Sequence, residues 1–269
     1  MDVTSPGAER RPLERGGLGA WVDALHAMAE ADLRFRYGRG SGRLLKWLLD
    51  PYALVGVYLV LVTFVLHRAG PSPGLSLACS VVPFQLVIAT VTNATGAIHA
   101  RKSIILNMRF DRTLIPVATV LTEIAAFTAS LSLIVVMMIV YRVAPTAQIL
   151  WFPLVLFVTI LVALGFAFPA AIFGLWFREL RNLALSVVRT LYFVAPGLVP
   201  LSNTGGTAYD LLKLNPMTGL FESYRAIFVF DRAPHTWELL YPSLFALVLL
   251  AVGIPLYRAE QGQFAKVVE

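Results

Sequence analysis

The chain has 269 residues, 58% of them hydrophobic and 14% charged, and a mean hydropathy of +0.73. That composition excludes an ordinary water-soluble fold. The net charge of +6, from 22 Lys and Arg against 16 Asp and Glu, points in a membrane protein to cytoplasmic loops facing anionic lipid, and no nucleic-acid partner is expected. A single cysteine, Cys79, excludes an internal disulfide framework and any Cys-rich metal site.

Residues 1–17 are polar, contain Pro and Gly, and lack the apolar stretch of a cleaved signal peptide, so a flexible cytoplasmic N-terminus is expected. Residues 18–47 predict an interface helix and an elbow. Leu18, Trp21, Val22, Leu25, Met28, Ala29 and Leu33 share one helical face, and Asp23, His26, Glu30 and Arg34 the other. Such a helix is either a membrane anchor or a lever for a cytoplasmic partner. Gly38, Gly40 and Gly42 break it, and their surroundings lack the Gly-Lys-Ser/Thr ending of a phosphate loop.

Six apolar runs follow within 48–257, at 48–66, 77–98, 114–141, 149–177, 183–201 and 239–257. Each approaches the ~20 residues that cross ~30 Å of hydrocarbon. An even number of crossings puts both termini on one side, with a tail at 258–269. Seventeen of the 22 basic residues then share that side, and Arg68, Arg142, Lys213, Arg225 and Arg232 lie opposite, so the richer side is cytoplasmic. Backbone groups must pair internally in lipid, and the runs are too long for barrel strands. The expected fold is therefore an all-α integral membrane protein with six transmembrane helices, an N-terminal amphipathic interface helix and a re-entrant outer hairpin between the last two spans. That hairpin, at about 203–236, is too interrupted to cross; it is either a cap on a conduit or an amphipathic surface element.

No catalytic constellation is evident. The four histidines are far apart and there is no His-Glu-x-x-His, Gly-x-Ser-x-Gly or Walker lysine loop. No metal or cofactor is expected on this chain, and any ATP would be bound by another. Two intramembrane ionisable residues stand out. Glu123, about ten residues into the third span, must face protein or water; a helix–helix hydrogen bond and a role on a substrate path are both open. Ala118, Thr122, Ala125 and Ala129 form a small-residue stripe beside it. Arg189 either snorkels to the cytoplasmic surface or lines a cavity. Tyr52, Tyr58, Phe84, Tyr192 and Phe193 fall within spans as candidates for a pore surface, with Gln85, Thr90, Thr92 and Asn93 as polar neighbours for sugar hydroxyls.

Several motifs, in order, resemble one family. Asp32-Leu33-Arg34-Phe35-Arg36-Tyr37, followed by Trp47 and Pro51, is similar to an Arg-Asp-Leu-Lys-x-Arg-Tyr start, with Gly42-Arg43-Leu44-Leu45-Lys46-Trp47 in place of Gly-Tyr-Leu-Trp. Arg101-Lys102 and Phe110-Asp111-Arg112 resemble a Phe-Pro-Arg loop that meets an ATPase. Phe177-Arg178-Glu179-Leu180-Arg181 resembles a Phe-Arg-Asp-x-Arg connector, and Ala195-Pro196 with Pro200 a Ser-Pro-x-x-Tyr-Pro region. Leu214-Asn215-Pro216-Met217-Thr218-Gly219-Leu220 with Tyr224-Arg225 completes the set. The family is that of type-2 ABC transporter permeases exporting O-antigen, teichoic acid and related polysaccharides.

The resemblance implies a transport subunit, not an enzyme, in a bacterial inner membrane. Its implied partners are a second copy of the chain, two nucleotide-binding ATPase subunits carrying ATP and magnesium, membrane lipids and a polyprenyl-pyrophosphate-linked glycan. Eighteen arginines against four lysines suggest a GC-rich genome, and with it a cell-wall galactan. Arg101, Lys102, Arg109, Phe110, Asp111 and Arg112 are then candidates for ATPase coupling. Arg34, Arg36, Arg39 and Arg43 are candidates for receiving the headgroup, or simply bind anionic lipid. Asn215, Pro216, Glu222, Tyr224 and Arg225 are candidates for an outer gate. A drug or lipid exporter of the same superfamily, a passive channel, and an intramembrane enzyme acting on lipid-linked sugars are the alternatives.

Overall fold

The computed structural model describes residues 18–37, 42–65, 72–107, 110–198, 200–203 and 206–264. All regular structure among them is helical. Helix α1 covers Leu18–Tyr37, the stretch its periodicity predicts, and packs against α5. Helix α2 covers Gly42–Val60 and ends in a π-helical turn, Leu61–Val65.

Helix α3, Pro73–Ala100, starts with a proline at a position where its missing N–H costs nothing. It is the axis of the bundle: α2, α5, α6, α7 and α9 all pack on it. Of its most apolar stretch 83% is buried, against 17% for α10, so α10 leaves most of its apolar surface uncovered by the rest of the chain. A short helix α4, Lys102–Asn107, links α3 to α5, Leu114–Val140. A 3-10 turn at Ala147–Trp151 leads into α6, Phe152–Trp176. Helices α3 and α6 touch backbone to backbone: a Cβ on Gly174 would stand 1.9 Å from the Thr95 carbonyl oxygen. Ala118 and Thr122 of the small-residue stripe are buried, while Ala125 and Ala129 are partly covered.

Four helical stretches among the described residues are long and apolar enough to cross a bilayer: Pro73–Ala100, Leu114–Val140, Ala147–Trp176 and Thr236–Gln263. A shorter apolar stretch covers Pro51–Phe64. The run at 183–201 is organised differently from the continuous helix its hydropathy predicts. Helix α7, Arg181–Val194, has 14 residues, about 21 Å of rise against ~30 Å of hydrocarbon. It stops because the residue before a proline is driven out of helical geometry: Ala195, ahead of Pro196, is extended at φ −69 and ψ 155.

The segment predicted as a hairpin forms two short helices, α8 at Thr207–Lys213 and α9 at Pro216–Phe228. All 13 residues of α9 are buried, which is not the behaviour of a surface amphipathic element. Helix α10, Thr236–Glu260, begins with a capping box in which the Glu238 carboxylate accepts from the His235 N–H at 2.9 Å.

Candidate functional site

The polar and aromatic residues gather at the two ends of the bundle and around a third point between them. At the α9 end, Asn215 ends the approach to the helix and starts it. Its side-chain oxygen accepts from the Met217 N–H at 3.0 Å, with Pro216 at the first helical position. Its amide donates to the Leu191 carbonyl at 2.7 Å, so the start of α9 is tied to the last turn of α7.

Nearly three turns further on, Arg225 is fully buried and every part of its fork is used. Nε donates to Ser76 Oγ at 3.0 Å, Nη1 to the Pro196 carbonyl at 2.6 Å and to Glu222 Oε1 at 2.9 Å, and Nη2 to the Gly197 carbonyl at 2.8 Å. Glu222 Oε1 also accepts the Leu201 N–H at 3.0 Å. Ser80 Oγ donates to the same Gly197 carbonyl at 2.6 Å. A buried charge is tolerated when paired and hydrogen-bonded, and here the pairing draws α3, the turn after α7 and α9 into one clasp. Tyr224 sits on the other side of α9, its hydroxyl 3.1 Å from Thr159 Oγ1 of α6.

Next to the clasp, four of the five pore-aromatic candidates converge. Tyr192 stacks on Tyr58 with ring centroids 5.7 Å apart, tilts against Phe84 at 4.8 Å and meets Phe193 edge-on at 5.4 Å. Phe221 of α9 joins at 5.6 Å. Phe84 and Tyr192 are buried in the cluster, whereas Phe193 is exposed. Tyr52 stands apart, its hydroxyl 3.2 Å from Ser132 Oγ of α5.

Between the two ends, the carboxylate of Glu123 is buried and accepts a hydrogen bond from Asn93 Nδ2 at 2.7 Å. The helix–helix bond is therefore present, and it joins α5 to α3. Thr92 Oγ1 is turned back on the Ile88 carbonyl of its own helix. Thr90 is fully buried.

At the opposite end, the coupling candidates are spread over one loop with two attachments. Arg101 is buried and forms an ion pair with Asp32 of α1. Lys102 and Asp111 are exposed and Phe110 is half-buried. The Arg112 guanidinium donates to the Gln261 carbonyl and lies 5.7 Å from the Phe264 ring centroid. The Arg112 carbonyl accepts from the Tyr257 hydroxyl at 3.0 Å. The loop is thus fastened to α1 at one side and, at the other, to the C-terminal turn, a 3-10 turn at Gln261–Gln263 that follows α10. Arg34 is exposed and pairs with Glu30 on α1, and Arg189 is exposed on α7. Arg39 and Arg109 lie outside the described residues, as do the side chains of Arg36 and Arg43.

Sequence reasoning missed Asp32 as the partner of Arg101, Ser76 and Ser80 as clasp residues, and the C-terminal turn as the seat of Arg112. The clasp's acceptors are the backbone carbonyls of Pro196 and Gly197; the Ala195-Pro196 motif marks the place but not the bond to Arg225.

No family model matches the chain. It is 27% identical over 245 residues to the O-antigen export system permease protein RfbA of Myxococcus xanthus, covering 90% of this chain and 94% of that protein. It is 22% identical over 252 residues to the protein of the same name from Klebsiella pneumoniae, with 93% and 96% covered. To the polysialic acid transport protein KpsM of Escherichia coli it is 25% identical over 255 residues, with 93% and 98% covered. These matches and the apolar helices make it a multi-pass inner-membrane protein. Matched nearly end to end, the chain is a homologue of the permease subunits of type-2 polysaccharide ABC exporters, the family its motifs resemble.

Proposed function

We propose that this chain is the membrane subunit of an ATP-driven exporter that moves a polyprenyl-pyrophosphate-linked polysaccharide out of the cytoplasm. Two copies form the path across the membrane, and two separate ATPase subunits hold the ATP and magnesium. A cell-wall galactan is the favoured cargo. The observation that carries this reading is the near full-length match to permeases for two chemically different glycans, O-antigen and polysialic acid.

The geometry supports a division of labour along the bundle. The loop from Arg101 to Arg112 receives the ATPase, and its ties to Asp32 and Gln261 pass that movement to α1 and the C-terminal turn together. In this reading the chain crosses six times, at α2, α3, α5, α6, the run that begins with α7, and α10, with both termini cytoplasmic. Phe193, exposed at the edge of the cluster, and the half-buried Tyr58 offer ring faces suited to the apolar C–H faces of sugars, with Phe84 and Tyr192 packed behind them. The Asn215–Arg225 segment closes the outer end. Arg34, Arg36, Arg39 and Arg43 meet the pyrophosphate as it enters, through charge-assisted contacts.

The test is export of a labelled lipid-linked glycan from vesicles holding the chain together with its co-purified ATPase. Export should need ATP, and the double replacement Arg34→Gln and Arg36→Gln should lower it while ATPase assembly persists. Unchanged export in that variant removes the headgroup role. Nucleotide hydrolysis by the isolated subunit, or labelling that places the termini on opposite faces, overturns the reading as a whole.

A further inference from the structure

At the end of the bundle remote from α4, a cleft of about 580 Å³ opens between the last turns of α5, the turn that follows, and the start of α6. Its size falls in the ~300–1,000 Å³ range of ligand pockets. Leu131, Met138, Ile139 and Phe152 line it together with Phe228 of α9, and Arg142 is the one charged residue of its wall.

Arg142 is set in place by the backbone. The Arg142 N–H donates to the Ile139 carbonyl at 3.2 Å and the Val143 N–H to the Met138 carbonyl at 2.9 Å. This double bond pattern closes a helix with a left-handed residue, a position usually given to glycine. Arg142 has φ 56, so an arginine stands where the backbone favours glycine. Its side chain is exposed and has no hydrogen bond or ion pair among the described residues. Arg142 stands two residues past the end of α5, a helix long and apolar enough to cross a bilayer, which puts the guanidinium at the depth of lipid headgroups.

We propose that the cleft holds an acyl chain of an anionic glycerophospholipid from the surrounding leaflet, with the lipid phosphate on Arg142. The apolar wall matches the chain, and the planar guanidinium fork matches a phosphate. A protein segment in the same cleft would have to bring its own acid to neutralise Arg142, whereas the bilayer already supplies an anion at that depth. The site is independent of the transport reading.

The experiment uses the full chain in phosphatidylcholine nanodiscs containing a minority of phosphatidylglycerol, and native mass spectrometry counts the lipid retained. One phosphatidylglycerol per chain should be held in preference to phosphatidylcholine. Arg142→Gln should lower its retention about tenfold, as the loss of one charge-assisted contact implies. Arg142→Lys should keep most of it, and Arg258→Gln, at the other end of the bundle, should change nothing. Arg142 is exposed, so these variants should melt like the parent. A photo-crosslinking residue at Ile139 should capture phosphatidylglycerol. Retention unaffected by Arg142→Gln, or capture of a second copy of the chain or of an added polyprenyl phosphate in its place, overturns the proposal.

Discussion

Glu222 and Arg225 form an ion pair 2.9 Å long that is closed off from solvent. Removing one member of such a pair strands the other as an uncompensated charge. Arg225→Met should therefore destabilise the protein by about 3–5 kcal/mol, and more than Glu222→Gln, which keeps an acceptor for the Leu201 N–H. The double replacement Glu222→Leu with Arg225→Met should cost less than the two single changes added together. A double-mutant cycle by denaturant unfolding in detergent measures this, and simple additivity would show that the pair is uncoupled.

The contact between Gly174 and Thr95 separates glycines that matter from those that do not. A Cβ at Gly174 meets the Thr95 backbone, which has no flexible end to give way. Gly174→Ala should lower the melting temperature, at a cost of at least about 1–3 kcal/mol from overpacking. Nothing lies within 4 Å of a Cβ on Gly56 in α2, so Gly56→Ala should be neutral or stabilising by up to ~1 kcal/mol. Equal melting shifts for the two variants would contradict the packing described.

Asn93 and Glu123 join α3 to α5 through one interhelical hydrogen bond. Interhelical polar contacts in membrane proteins are worth about 0.6–2 kcal/mol, and the coupling energy from Asn93→Leu, Glu123→Leu and the double variant should fall in that range. Glu123→Gln keeps an acceptor and should cost less than Glu123→Leu.

The ion pair between Asp32 and Arg101 is the fastening of α1 to the end of α3. Asp32→Arg should loosen α1, seen as faster proteolysis of the N-terminal region in the reconstituted protein. The exchanged pair Asp32→Arg with Arg101→Asp should recover protection. Failure of the exchange to recover anything would show that position, not charge, is what the site requires.

How far the sequence reached is visible in these same residues. The periodic face from Leu18 to Leu33 is a local signal, and α1 follows it. Long apolar runs likewise mark α3, α5, α6 and α10, since length and hydropathy alone decide whether a helix can cross. Hydropathy marked the run at 183–201 but not the break inside it, where the geometry imposed by Pro196 on Ala195 ends α7 despite an apolar composition. The Asp32–Arg101 pair joins residues 69 apart, and no local pattern marks such a partner. Arg225 was legible as a residue needing protein or water around it, but its acceptors at Pro196 and Gly197 are backbone atoms, whose positions exist only after folding. The aromatics were visible one by one; their convergence on Tyr192 belongs to the packing.

Where α3 and α6 meet at Gly174, the two rods come so near that neither has room to slide along the other. They behave as a single strut, and a bundle braced in this way can flex only where its rods are short or interrupted. The stretch after Val194 is such an interruption but no exception to the bracing, because Arg225 grips its Pro196 and Gly197 carbonyls and Ser76 of α3 together, and so ties that break in the chain to the same strut.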